Sequence, residues 1–157
     1  MKGIIGLFVV GIIACVASVV ILGKTSEDQG YSTAVGFGEP YEGKTHLNLA
    51  VGMLTPRKDP PKSDARGNPR WQEWVKDHYK LYDNNRQEVE VNQIGGSSII
   101  PDHKAGNPEF FVAATVNVGE TYTMEYIPVR KQKTRYVWKF TVPSAKKTER
   151  PNFELAK

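Results

Sequence analysis

A chain of 157 residues is long enough for one domain and too short for two of ordinary size. Its 39% hydrophobic and 24% charged residues are those of a folding protein. The formal net charge of +4 falls far short of the clustered charge of a nucleic-acid binder, so no nucleic-acid partner is expected. The single cysteine, Cys15, excludes an internal disulfide, and any domain must be held by its own core.

The apolar residues are unevenly spread. Residues 3–23 read GIIGLFVVGIIACVASVVILG without a charged side chain. As a helix rising about 1.5 Å per residue, this run is roughly 31 Å long and matches a hydrocarbon core of about 30 Å. Lipid offers the backbone no other hydrogen-bonding partner, so helix is the state it dictates. A cleaved secretory signal would have a shorter apolar core, and Val19, Val20, Ile21 and Leu22 continue past any cleavage point near Ala17. Ile12-Ile13-Ala14-Cys15 resembles a bacterial lipobox, which makes a lipoprotein acylated at Cys15 the alternative. The apolar continuation from Val16 to Leu22 departs from that pattern and favours Cys15 as a small hydrophobe in a membrane helix.

Residues 1–23 are therefore read as a transmembrane signal-anchor in contact with membrane lipid through residues 3–23. Lys2 is its only charged side chain, and the stub before it has nothing to translocate, which places the N-terminus in the cytoplasm and the domain outside a cell membrane. Gly11 with Cys15 and Ala14 with Ser18 are small residues at helical spacing, the kind of seam that would support a homodimer.

Residues 24–43 read as a polar tether leading into the domain, and residues 44–143 as the domain itself. Leu47, Leu49, Val51 and Met53 alternate with smaller or polar residues, the period of a strand with one buried face. Pro56 to Pro69, with five Pro or Gly residues among charges, predicts a mobile, solvated excursion. Trp71, Trp74, Val75, His78 and Tyr79 then share one helical face, while Val75, Asp77, Tyr79 and Leu81 also alternate. This pattern predicts a short helix over 70–77 running into a strand over 79–82.

Asp83-Asn84-Asn85 supplies a turn into a strand carrying Val89 and Val91. Loops follow at Ile94–Ser98 and Pro101–Pro108. A run at Phe110–Val116, a turn at Val118-Gly119-Glu120, and alternation at Tyr122–Tyr126 and Tyr136–Val142 predict three more strands. Residues 144–157 form a polar, basic tail expected to fray. The fold class is thus mainly β: a transmembrane helix followed by a small immunoglobulin-like β-sandwich with at most one short helix.

Chemistry is thin in this sequence. His46, His78 and His103 lack zinc spacing, and Asp77-His78 and Asp102-His103 read as exposed polar pairs on a strand and a loop. Gly95-Gly96-Ser97-Ser98 lacks the flanking pattern of a nucleophile elbow or a phosphate loop. Glu88 and Glu90 form the solvated face opposite Val89 and Val91. No catalytic residue, metal ligand or cofactor is expected.

Two clusters suit binding better. Arg130, Lys131, Lys133 and Arg135 lie at a hairpin tip and would attract an anionic polymer or lipid headgroups. Trp71, Trp74, Tyr79 and Tyr82 would serve a partner protein as a recognition surface, or else fill the open end of the sandwich. The sequence points first to a non-catalytic, anchored interaction module docking a protein partner or supporting an envelope complex. A polymer or lipid binder comes second and a hydrolase third. Protease added to intact spheroplasts is expected to remove the domain from an uncleaved chain; full protection would contradict this orientation.

Overall fold

The computed structural model describes residues 32–52, 57–95 and 109–157. The anchor, Cys15 and the tether as far as residue 31 lie outside the described residues, as do Met53, Pro56, Gly96 to Ser98, and the segment with Asp102-His103. No helix among the described residues is long and apolar enough to cross a membrane.

Period-two alternation becomes two five-stranded antiparallel sheets. The strands in chain order are β1 (Ser32–Phe37), β2 (Lys44–Gly52), β3 (Tyr79–Tyr82), β4 (Glu88–Val89), β5 (Asn92–Ile94), β6 (Glu109–Asn117), β7 (Thr121–Tyr126), β8 (Tyr136–Thr141), β9 (Lys147–Glu149) and β10 (Glu154–Leu155). One sheet runs β5-β6-β2-β1-β9 and the other β10-β8-β7-β3-β4. A single helix, α1 (Trp71–His78), precedes β3.

The alternating side chains make one core. Leu47, Leu49 and Val51 of β2 and Phe110, Val112 and Val116 of β6 meet Leu81 of β3, Met124 and Tyr126 of β7, and Trp138 and Phe140 of β8 in a single buried cluster. Burying a Leu, Val or Phe contributes about 1.5–3 kcal/mol, so this dry layer holds a domain without a disulfide.

Helix α1 is too short to persist alone. It is fixed by its buried face, Trp74, Val75 and His78, and by Gln72, whose amide donates to Asn92 at 2.8 Å and accepts the Gln93 N–H at 3.1 Å. The helix-then-strand order at 71–82 follows the sequence pattern, displaced by one residue at the helix.

Two expectations are corrected here. The tether segment contains β1, a strand flanked by β2 and β9 that buries Val35 and Phe37. It turns into β2 through Glu42 and Gly43, both at positive φ (49° and 74°), the two-residue geometry that suits strand twist. The tail supplies two more strands: β9 on β1 and β10 on β8.

At the β6–β7 corner Gly119 adopts φ 79°, and its N–H donates to Val142 at 3.0 Å. The Tyr122 hydroxyl accepts the Asn117 N–H at 3.1 Å and donates to Glu120 at 3.2 Å, closing the corner on its own stem. Tyr122→Phe is expected to cost about 1–2 kcal/mol in denaturant unfolding, because the Asn117 amide loses its partner. An unchanged midpoint would contradict that role.

Candidate functional site

The Pro-rich excursion is ordered over 57–69, and its anchor is Asp59. The Asp59 carboxylate accepts the Arg130 backbone N–H and Nε at 2.8 Å each and Nη2 at 2.6 Å. Its carbonyl accepts the Trp74 indole N–H at 2.7 Å. Farther along, Asp64 folds the loop tip by accepting the N–H groups of Arg66 and Asn68 at 2.8 Å each. The Arg57 guanidinium lies 4.6 Å from the centre of the Trp74 ring and 5.6 Å from that of Trp71, a cation–π contact on the same end of the sandwich.

Arg130 is thus a structural cation. Its Nη1 also reaches Asp77 at 3.3 Å, so one guanidinium ties the 57–69 loop to α1. Hydrogen bonds from Arg130 hold the Asp59 carboxyl down at about 2, from an ordinary 3.8, against a smaller opposing effect of burial. The same bonds raise the Arg130 guanidinium further above its usual range.

His78 corrects the expectation of an exposed pair. It is 0% exposed and stacked on Trp74 with ring centroids 4.3 Å apart. Its Nδ1 lies 2.5 Å from the Ile127 carbonyl, which can only accept, so Nδ1 carries the proton. Nε2 then presents a lone pair 3.7 Å from Asp59 Oδ2, beyond hydrogen-bond distance. Burial lowers the His78 pKa, opposed by the Ile127 carbonyl and the Asp59 charge. Asp77 is exposed beside it, and His103 lies outside the described residues.

The basic hairpin tip is divided between pairing and exposure. Arg135 pairs with Glu125 at 3.2 Å. Lys131, at φ 64°, and Lys133 are exposed and line an open groove of about 710 Å³ with Lys62.

The four aromatics do not share a surface. Trp74 and Tyr79 are 1% and 0% exposed and present no ring to a partner. Trp71 is half-buried with its ring 4.7 Å from Phe110, and Tyr82 is half-buried on β3. The packing alternative therefore describes Trp74 and Tyr79. Glu88 and Glu90 keep their solvated face, pairing with Lys80 at 2.7 Å and Lys76 at 3.4 Å.

A second groove, of about 690 Å³, has no counterpart among the sequence motifs. Gly38 and Ala113 give it short walls, and His46, Asn48, Asn92 and Thr115 supply polar groups. They lie on β2, β5 and β6, which the ladder Asn48↔Ala113↔Asn92 places side by side. Only this cross-strand register assembles them. Among the described residues no group of three or more His, Cys, Asp or Glu side chains could hold a metal ion. No family model matches this chain, and no curated protein or solved structure matches it.

The clamp makes a stability signature. Asp59 titrates lower in the folded chain than unfolded, so its contribution, about 2 kcal/mol, is complete above about pH 4 and is lost as pH falls toward 2. His78 is also depressed, and its contribution declines as pH falls below about 6.5. In acid titrations of stability, Asp59→Asn is expected to flatten the lower step. Arg130→Met should cost about 2–3 kcal/mol by stranding Asp59, whereas Lys131→Ala and Lys133→Ala should stay within about 0.5 kcal/mol. Equal effects of all three would contradict the division.

Proposed function

We propose that this chain is a non-catalytic, membrane-anchored module that docks a protein partner outside the cytoplasm. The observation that carries the proposal is the groove beside β2, β5 and β6. Its short-walled floor admits a polypeptide backbone closely, and the Asn48 and Asn92 amides with the Thr115 hydroxyl offer both donors and acceptors to it. Protein docking is favoured over catalysis because the acid–base groups at the loop end serve the fold: Asp59 is held by Arg130, and His78 is buried under Trp74. The anchor, its orientation and the cell-membrane location rest on residues 1–23 of the sequence.

The fold is further read as immunoglobulin-like. Strand order supports this, since β1-β2-β6-β5 and β8-β7-β3-β4 follow A-B-E-D and G-F-C-C′. So does Tyr122, near the start of the F-position strand, whose hydroxyl bonds to backbone upstream in the manner of a tyrosine corner.

A photo-crosslinking residue at Thr115 of the full-length chain, activated in cells, is expected to give one discrete protein adduct that Ala113→Trp abolishes. The same residue at exposed Lys139, on the opposite sheet, should give none. No adduct from Thr115, or the same one from both positions, would overturn the proposal.

A second reading is favoured by Lys131 and Lys133, which are exposed and have no ion-pair partner among the described residues. Each would add about 1 kcal/mol of attraction to anionic headgroups or an acidic polymer. Lys131→Glu with Lys133→Glu is expected to weaken co-sedimentation with anionic vesicles, and unchanged binding would end this reading.

A further inference from the structure

The C-terminal segment 147–157 is a strap laid over two sheet edges. β9 pairs with β1 through Val35↔Glu149, Gly36↔Thr148 and Phe37↔Lys147. The chain then crosses to the other sheet, where β10 pairs with β8 through Glu154↔Val137 and Leu155↔Tyr136. The Ala156 N–H extends that ladder by donating to the Arg135 carbonyl at 2.8 Å.

Much of this attachment is backbone. Lys147 and Thr148 are exposed, and Leu155 is 60% exposed. The apolar anchor is Phe153, half-buried with its ring 5.9 Å from Trp138. A strap that buries so little side-chain area opens at low cost compared with the core strands. Opening it uncovers two unpaired strand edges, which are templates for another extended segment. The connection from β8 to β9 is residues 142–146, of which Ser144, Ala145 and Lys146 are exposed. Residues 144–146 can straighten while Val142, buried and bonded to Glu120 and Gly119, stays in the core.

We propose that this strap is exchanged between two copies of the chain, each laying its residues 147–157 across the β1 and β8 edges of the other. The occupant follows from the geometry. Whatever replaces the strap must pair first with β1 and then, a few residues later, with β8. A second copy's strap meets both requirements by construction and remakes the same contacts. The free-energy difference between closed and exchanged forms therefore reduces to the connection and the concentration of copies. Copies held in one membrane, on the anchor reading, have that concentration raised.

The test uses the full-length chain with Cys15→Ser, Val137→Cys and Glu154→Cys, mildly oxidised with diamide. Val137 and Glu154 are direct cross-strand partners, and neither is buried. In the closed form the disulfide joins residues of one chain, which runs as a monomer on a denaturing gel. In the exchanged form it joins two chains. The expected result is a covalent dimer whose share rises several-fold with protein density in the membrane. It should rise again when Ser144 and Ala145 are deleted, because the shortened connection no longer reaches the chain's own β1 edge. Each single-cysteine variant should give little dimer. An exclusively intrachain disulfide at every density, equal dimer from the single-cysteine variants, or linkage to a different protein would overturn the proposal.

Discussion

One ion pair organises the helix end of this molecule. Arg130 arrives from the loop after β7 and grips Asp59 through its backbone amide and two guanidinium nitrogens. Around that grip the 57–69 loop, α1 and the start of β3 take their places, with the Asp59 carbonyl on the Trp74 indole and His78 stacked below. The pair is partly shielded, with side-chain exposures of 26% and 16%. Removing either partner therefore strands a charge that water only partly reaches, and the loss exceeds the net worth of the intact pair. Asp59 and His78, both acid–base side chains, are in this way committed to the fold.

That commitment divides the surface. The loop end is stiffened by charge pairs and stacked rings, and it leaves Lys131, Lys133 and Lys62 as the outward cations of its groove. The other groove rests mainly on three neighbouring strands, β2, β5 and β6, with Gly38 and Glu90 added from the connections beside them, so the ladders set most of its shape. Between them lies a core of interdigitating aromatic and aliphatic side chains, closed at the β6–β7 corner by Tyr122. A site built on strands is held more firmly than one built on loops. On these grounds the strand-built groove is the better base for the protein docking proposed above, and the lysines for the proposed second reading.

Much of the core was legible because burial imposes a period. Leu47, Leu49 and Val51, Tyr122, Met124 and Tyr126, and Tyr136, Trp138 and Phe140 all point inward as their alternation implies. The Asp83 turn was legible too, since its carboxylate accepts the N–H groups of Asn85 and Gln87 at 2.8 Å each. What escaped the pattern lacks it physically. β9 and β10 are held mainly by backbone bonds, and their side chains face water. β1 carried a signal in Val35, Phe37 and the Glu42-Gly43 turn, but it was diluted by Gly36 and Gly38. The grip of Arg130 on Asp59 spans 71 residues, and no local spacing announces a pair that distant. His78 was hidden for a related reason: polarity suggested exposure, while a carbonyl contributed by Ile127, 49 residues away, allowed its burial.

The clamp is tested most directly by a double-mutant cycle between Asp59→Ala and Arg130→Ala. Unfolding of the full-length chain would be followed by tryptophan fluorescence in denaturant. If the two side chains hold the helix end together as a unit, the double variant should be little worse than either single one, with a coupling of about 2 kcal/mol. Additive losses with a coupling near zero would contradict this. They would mean that the loop, α1 and β3 are held in place by something other than this pair.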